Sequence, residues 1–421
     1  MWTIAYVARL PGIEAPPPIV GVLLLVVLAF GALLAGRSPN TRRGVLAGLD
    51  ASLIAGVVSL LFFGAWVADR LKDGAPAEIP YAWLTAPGWL AFVALVGAVA
   101  GAIGGATNPA KNSNPATALS SRDWLGRFAI IACISVVPLL AIGGVVTSEQ
   151  AGMAVPDWPT SFSANMFLLP LSKMTGSVFL EHAHRLFGSL VGLITLVLVV
   201  WTAIVDRRRA VLALGATVFV LISAQGVLGG IRVRENSQAL AAIHGFTAQS
   251  FFALMCVFAA TLSRNWRSLT RLEGGGFERK LCVAAFAAVV VQVALGVVAR
   301  HFDTSVHGAM GHAGFSVVAL TLILAICFRA QHTLSGAAPI KRVSKGLMHT
   351  VLLQMVLGAL ALWQVLVHRQ SDPLSEVLLA TAHQVVGALV LALTSLLMMW
   401  IFRATQGGSN ADRITPLAGS V

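Results

Sequence analysis

The sequence predicts an all-α integral membrane protein with about eleven transmembrane helices. Of its 421 residues, 57% are hydrophobic and 11% are charged, and the mean hydropathy is +0.83. A chain of this composition must place most of its length in lipid, and a bilayer core requires about 20 consecutive apolar residues per helix. Runs of that length occur near 19–35, 47–67, 88–106, 128–146, 185–205, 210–230, 241–262, 281–299, 309–328, 346–367 and 377–402.

The basic residues predict how the chain is oriented in the membrane. The formal net charge is +12, but Lys and Arg form short clusters between the apolar runs, such as 207–209. Because no basic stripe results, we expect no nucleic-acid partner. Most clusters fall in alternate loops, which the positive-inside rule assigns to the cytoplasm. The amino terminus is then outside and the carboxy terminus cytoplasmic. The absence of a leader-like basic segment before the first run favours a bacterial cell membrane.

The sequence divides into an accessory segment and a core. Residues 1–120 supply three predicted helices and contain no His and no Cys, so this accessory segment holds no conventional heme or metal ligand. The remaining eight helices form two similar four-helix bundles. We predict an amino-terminal half over residues 121–265 and a carboxy-terminal half over residues 266–421.

Four histidines are the leading candidates for metal ligands. Each stands near one end of a different core helix and is followed four residues later by a small residue: His184 by Gly188, His244 by Ala248, His312 by Ser316 and His383 by Gly387. Ionisable side chains at membrane depth are costly and usually functional. Two imidazoles from facing helices can hold a porphyrin, and a small residue one turn away leaves room for it. The pattern predicts axial ligands for two hemes on one side of the membrane.

The same end of the core carries basic residues and an internal repeat. Arginine side chains there can pair with heme propionates; the candidates are Arg185, Arg232, Arg234 and Arg300. A Gln-x-x-Leu-Gly motif closes the helix before three of the histidines, at 225–229, 292–296 and 354–358, and Ile142-Gly143 is a degenerate fourth copy. Repeats of this kind are common in membrane folds. A glutamine in an apolar helix often only links neighbouring helices, which is our interpretation of these three.

The most specific stretch runs from Ala151 to Arg185. It includes Pro156-Asp157-Trp158-Pro159 and ends in Glu181-x-x-His184-Arg185. In this loop, together with the histidine layout over about residues 125–405, the chain resembles the heme A synthase family. The resemblance implies oxidation of a porphyrin methyl group of heme O to a formyl group, which yields heme A for terminal oxidases. Heme O and its synthase and an electron donor are the implied partners, and a homo-oligomer is left open.

The resemblance also implies a role for each site residue. The substrate heme lies between His184 and His244, and a heme b cofactor lies between His312 and His383. Glu181 corresponds to the family's essential loop glutamate, which handles protons or stabilises positive charge on the substrate. A carboxylate favoured by the helix dipole is the alternative for Glu181. Many family members also carry a cysteine pair in this loop, which this chain lacks.

Two further alternatives remain open from the sequence. His307 competes with His312 as the third ligand, because its distance from the cytoplasmic end of its helix is closer to that of the other histidines. A non-catalytic, cytochrome b-like electron carrier or heme-handling protein fits four axial histidines equally well. Glu181 and its loop discriminate between the two functions, because an electron carrier has no need for them.

Overall fold

The computed structural model describes residues 1–10, 13, 15–37, 41–70, 82–107, 120–269, 272, 274–302, 306–367 and 373–405. These residues form thirteen α-helices, two short 3-10 helices (Met166–Leu168 and Leu171–Lys173) and no β-strand, apart from an isolated bridge between Ser161 and Ala164. The helices are α1 (Trp2–Val7), α2 (Pro17–Ala35), α3 (Thr41–Arg70), α4 (Ala82–Ala106), α5 (Ser121–Ser148), α6 (Gly176–Val205), α7 (Arg209–Arg234), α8 (Gln238–Leu262), α9 (Arg264–Ser268), α10 (Gly276–His301), α11 (Val306–Thr333), α12 (Ala338–Val367) and α13 (Pro373–Thr405).

Eleven of the described helices are long and apolar enough to cross a membrane, namely α2–α8 and α10–α13. This confirms the prediction of an all-α integral membrane protein. Several helices extend beyond the apolar runs, because backbone hydrogen bonding continues where the hydrocarbon ends. The clearest case is α6, which begins at Gly176 instead of near residue 185. As a result, Glu181 and His184 both lie within α6, one turn apart.

The chain forms two compact units. One comprises residues Met1–Leu119 and Gln150–Phe187, and the other comprises Ser120–Glu149 and Gly188–Val421. The first unit therefore contains the accessory helices together with the loop and the helix head that carry Glu181 and His184. The second contains helices from both predicted halves of the core. The predicted boundary between residues 265 and 266 stays a prediction.

Glycines let the helices of the first unit approach closely. A methyl group on Gly101 of α4 would lie 2.3 Å from the carbonyl oxygen of Gly44 and 2.9 Å from Cα of Gly48. Gly44 and Gly48 are four residues apart on α3, the spacing with which small residues bring membrane helices into backbone contact. The accessory helices are thus held together by close backbone packing.

Replacing Gly101 with leucine should force α3 and α4 apart. We expect a loss of at least about 1–3 kcal/mol of stability, the typical cost of overpacking. Thermal unfolding of the purified protein in detergent measures this loss. Gly31→Leu is the matched control, because in the described part of the chain no neighbouring atom outside its own helix backbone lies within 4 Å of a methyl group at Gly31 in α2. Equal melting temperatures for the two variants would contradict the packing argument.

The first unit also packs its amino-terminal helix on the head of α6. The ring of Tyr6 in α1 stacks on Phe179 at 5.3 Å between centroids and meets Phe187 edge-on at 5.9 Å. Only 6% of Tyr6 is exposed, and this burial raises the pKa of Tyr6 to about 12. The accessory segment therefore contacts the helix that bears Glu181 and His184.

A continuous apolar core fills the second unit. Its largest fully buried side chains include Leu125 of α5, Phe251, Met255 and Phe258 of α8, and Ile326 of α11. The four cysteines are free thiols in these helices, and Cys282 and Cys327 belong to the core. The histidine-bearing helices α8, α11 and α13 are thus fixed by packing of large apolar side chains.

Candidate functional site

The loop before α6 is ordered around the carboxylate of Asp157. Its oxygens accept hydrogen bonds from the Thr160 hydroxyl at 2.5 Å and from the N–H groups of Phe162 and Ser163 at 2.7 and 2.8 Å. Phe162 and Ser163 have φ values of 51° and 62°, a left-handed conformation that favours glycine. Hydrogen bonding to the carboxylate offsets the strain of this turn.

The electrostatics of Asp157 follow from these contacts. Partial burial alone would raise its pKa, but the hydrogen bonds from Thr160, Ser163 and Phe162 outweigh it and hold the pKa below the ordinary value of 3.8. A carboxylate whose pKa is lowered on folding stabilises the folded state above its unfolded pKa. This contribution is lost as the pH falls through the lowered value.

Asp157→Ala should lower the free energy of unfolding by about 1.5–3 kcal/mol, the usual range for hydrogen bonds to a charged group. Denaturation at neutral pH measures the loss, and the difference from the wild type should shrink when the pH falls below about 4. Ser163→Gly should act in the opposite direction, because glycine adopts the left-handed conformation without strain. An unchanged stability of Asp157→Ala would remove the carboxylate from this role.

Glu181 and Arg185 form a buried ion pair on the first turns of α6. Glu181 Oε1 accepts from Arg185 Nη2 at 2.7 Å, and Oε2 accepts from the backbone N–H of Val155 at 2.8 Å. The side chains are 4% and 9% exposed. The arginine also donates to the carbonyl oxygens of Val155, Asp157 and Thr160 at 2.8, 2.7 and 3.2 Å. The loop is thereby tied to the helix by one charged network.

Arg185 has protein partners in this network that differ from the partner predicted from the sequence. The sequence suggested a propionate partner, but in the structure Nη1 of Arg185 donates only to loop carbonyl oxygens, and Nη2 donates to Glu181 and to the loop. Cofactor binding by Arg185 stays a prediction. His184 lies one residue away on α6, half-buried and in the same compact unit as Glu181.

His182 is a buried site residue that sequence reasoning missed. Its side chain is fully buried, and Nδ1 lies 3.3 Å from the hydroxyl oxygen of Ser161. The sequence did not single out His182, because the apolar run was predicted to begin only at residue 185 and His182 was therefore placed outside the helix. The imidazole anchors the loop to the side of α6 opposite His184.

In the second unit, His312 and His383 face each other. Their ring centroids are 6.0 Å apart and the rings are inclined by 84°. Nδ1 of each ring is buried and has no hydrogen-bond partner among the residues that the structure describes. A metal held roughly 2 Å from one nitrogen of each imidazole puts the centroids about 6 Å apart. The two side chains therefore fit an iron with two axial imidazoles.

The alternative ligand, His307, is placed differently. It lies at the start of α11 and is exposed, whereas His312 is half-buried and contacts both His383 and α10. The geometry favours His312 over His307 as the partner of His383.

The glutamine of each repeated motif lies against the histidine of the next helix. Gln292 Nε2 is 3.4 Å from Nε2 of His312 and donates to its carbonyl oxygen at 2.9 Å. Gln354 Nε2 is 3.3 Å from Nε2 of His383. When the side-chain amide of Gln225 is turned so that its nitrogen faces His244 and its oxygen faces Thr247, the nitrogen donates to Nδ1 of His244 at 3.0 Å. The glutamines do link neighbouring helices, and in all three hairpins the linked side chain is a candidate ligand.

The small residues after the histidines do not all leave space for a porphyrin. A methyl group on Gly387 would lie 3.1 Å from Gln354 Nε2, so the glutamine occupies that space. Among the described residues, no neighbouring atom outside its own helix backbone lies within 4 Å of a methyl group on Gly188. Gly188 instead lines an open groove between α6 and α7, together with Gly192, Leu193, Leu196, Phe219, Ile222 and Ser223. The prediction of open space one turn after the histidine therefore fits Gly188 and not Gly387.

Basic side chains cluster near His244 in the second unit. Arg300 donates to the Ser148 hydroxyl at 2.7 Å. Arg232 and Arg300 both act electrostatically on His301, whose Nε2 is 4.0 Å from the position of a methyl group on Gly245. Positive charge is thus concentrated beside the residue that follows His244, where an anionic group of a ligand would be stabilised.

Part of the core is similar to known proteins. Residues 126–310 match the model of a family described as Cytochrome oxidase assembly protein. Curated relatives named Heme A synthase are 27% identical over 183 residues in Exiguobacterium sibiricum and 29% identical over 148 residues in Listeria monocytogenes. Over this segment the chain is similar to proteins named Heme A synthase. No solved structure matches the chain significantly.

The heme A synthase match covers only part of each protein. It spans 42% of this chain and 59% of the Exiguobacterium relative, and 34% and 47% for the Listeria relative. The chain thus spans about half the length of the curated relatives it matches. The family segment contains Glu181, His184 and His244 but ends before His312 and His383. The candidacy of that second pair depends on the repeats and on the geometry described above.

Proposed function

We propose that this protein makes heme A by oxidising a methyl group on the porphyrin of heme O to a formyl group. The observation that carries the proposal is the buried ion pair of Glu181 and Arg185, in which Glu181 lies one turn before His184. The pair binds a loop that resembles the loop of heme A synthases. A buried carboxylate is costly and is retained where it has a function or a structural partner. Here it stands beside a candidate axial ligand.

The proposed ligands divide into two pairs. His184 and His244 hold the substrate heme, and His312 and His383 hold heme b. When bound, heme b supplies one-electron transfer. The fit of the second pair is supported by the 6.0 Å separation of the rings and by their buried Nδ1 atoms.

Glu181 acts on protons. Oxidation of a methyl group to a formyl group breaks C–H bonds, so a group near the reacting carbon that can accept and return a proton accelerates the reaction. Glu181 is held by Arg185 and by the N–H of Val155, which fix both of its oxygens. The carboxylate also stabilises positive charge that develops on the substrate.

The proposed function also has a membrane location, an orientation and partners. The protein is integral to a bacterial cell membrane, with its amino terminus outside and its carboxy terminus in the cytoplasm. It receives heme O from the heme O synthase and requires an electron donor. Assembly of several copies is compatible with this function.

Extraction and chromatography of the hemes test the proposal. The protein is purified after co-expression with a heme O producer, and we expect heme A or a hydroxylated intermediate beside heme b. Heme b alone in the presence of ample heme O would favour the electron-carrier alternative. It would also leave the network around Glu181 without a function.

A further inference from the structure

We propose that the three Gln-x-x-Leu-Gly motifs are imidazole clamps, in which the glutamine and glycine fix the orientation of the histidine on the next helix. This inference rests on the proposed function, because it treats His244, His312 and His383 as heme ligands. It assigns the glutamines as positioning residues that act through the histidines.

The first support is that the contact recurs. In each of three hairpins, the motif glutamine places its amide within 3.0–3.4 Å of one ring nitrogen. The hairpins α7–α8, α10–α11 and α12–α13 differ in most of their other residues. Because polar contacts that serve only to join two helices need not involve the same partner, the repeated choice of the histidine points to a function at the imidazole.

The second support is steric. A methyl group at the motif glycine would lie against Cε1 of the same histidine ring. The distance is 3.2 Å from Gly229 to His244, 2.9 Å from Gly296 to His312 and 2.9 Å from Gly358 to His383. The glycine lies one turn beyond the glutamine on the same face of its helix. One motif therefore supplies both a flat surface for the ring and a polar group at its edge.

The third support comes from hydrogen-bonding requirements. A metal-bound histidine donates the N–H of its other nitrogen to an acceptor, which fixes the ring and makes the bound nitrogen more basic. Oε1 of Gln292 and of Gln354 is buried without a partner among the described residues. For Gln354, a half-turn of the amide exchanges its nitrogen and oxygen and presents that oxygen to the ring of His383. The same glutamine can thus serve the imidazole with and without iron.

The test uses the whole 421-residue chain with heme b bound. Gln354→Leu removes the polar contact at similar volume, and we expect heme b to bind about 10- to 100-fold more weakly, as for other losses of such a partner. The residual heme should show shifted EPR g-values and a higher midpoint potential, because the imidazole becomes less basic. Gln354→Glu keeps an acceptor oxygen and should retain the wild-type affinity.

Gln331→Leu is the matched control. Gln331 lies in α11, and its amide donates to the sulfur of Met348 at 3.1 Å in place of a histidine nitrogen. We expect its heme affinity, g-values and potential to equal those of the wild type. If Gln354→Leu also equals the wild type in all three, the clamp is overturned.

His383→Ala separates failure of the clamp from failure of the proposed function. If this variant loses heme b while Gln354→Leu is unchanged, the ligand assignment stands and only the clamp is wrong. If His383→Ala keeps full heme b, the ligand assignment itself is wrong and the clamp falls with it.

Discussion

His383→Ala should remove heme b from the carboxy-terminal half of the core. His383 is one of two imidazoles whose centroids lie 6.0 Å apart, and alanine leaves iron with a single protein ligand. We expect heme b content to fall by more than about tenfold, since loss of even an indirect partner costs 10- to 100-fold in metal affinity. The reduced-minus-oxidised spectrum and the pyridine hemochrome of the purified protein measure the content.

Two other histidines serve as controls for this prediction. His349 also lies in a membrane-spanning helix, α12, but it is exposed and its Nδ1 lies 2.7 Å from the Lys345 carbonyl oxygen of the same helix. His349→Ala should therefore keep heme b. His307→Ala tests the competing assignment, and a loss of heme b with His307→Ala instead of His312→Ala would show that the wrong residue of α11 was chosen.

Glu181→Gln should abolish formyl formation and leave both hemes bound. Glutamine keeps the size of the side chain and an oxygen for a hydrogen bond, but it cannot take up a proton at neutral pH. Loss of a general base costs 10²- to 10⁴-fold in rate, so we expect at least about a 100-fold decrease. Glutamine is a better choice than alanine, because alanine would leave the buried Arg185 without its carboxylate partner.

The control for Glu181→Gln is a change at its partner. Arg185→Lys keeps the carboxylate but removes several of the hydrogen bonds to loop carbonyls. We expect a lower melting temperature with heme A production retained in part. If Glu181→Gln made heme A at the wild-type rate, the carboxylate would be only a structural link. If Glu181→Gln lost its hemes, the inactivity would reflect collapse of the site.

Much of the architecture could be read from the sequence because it depends on local properties. The thickness of the bilayer fixes the length of an apolar run, so the eleven spans are visible without knowledge of their contacts. The positions of the four histidines and of the Gln-x-x-Leu-Gly repeats are also properties of the chain itself. Hydropathy did not locate the start of α6, however, because the helix continues through the polar residues Glu181 to Arg185.

The tertiary structure decided which side chains meet. Sequence spacing left His307 and His312 as alternatives, and only the tertiary structure, with α11 packed on α10, brought the ring of His312 to that of His383. It was likewise the packing of α12 on α13 that gave the space beside Gly387 to Gln354. The loop fold directed Arg185 to Glu181. Apolar length and periodicity are recorded in consecutive residues, whereas the direction of a side chain and its partner depend on helices distant in sequence.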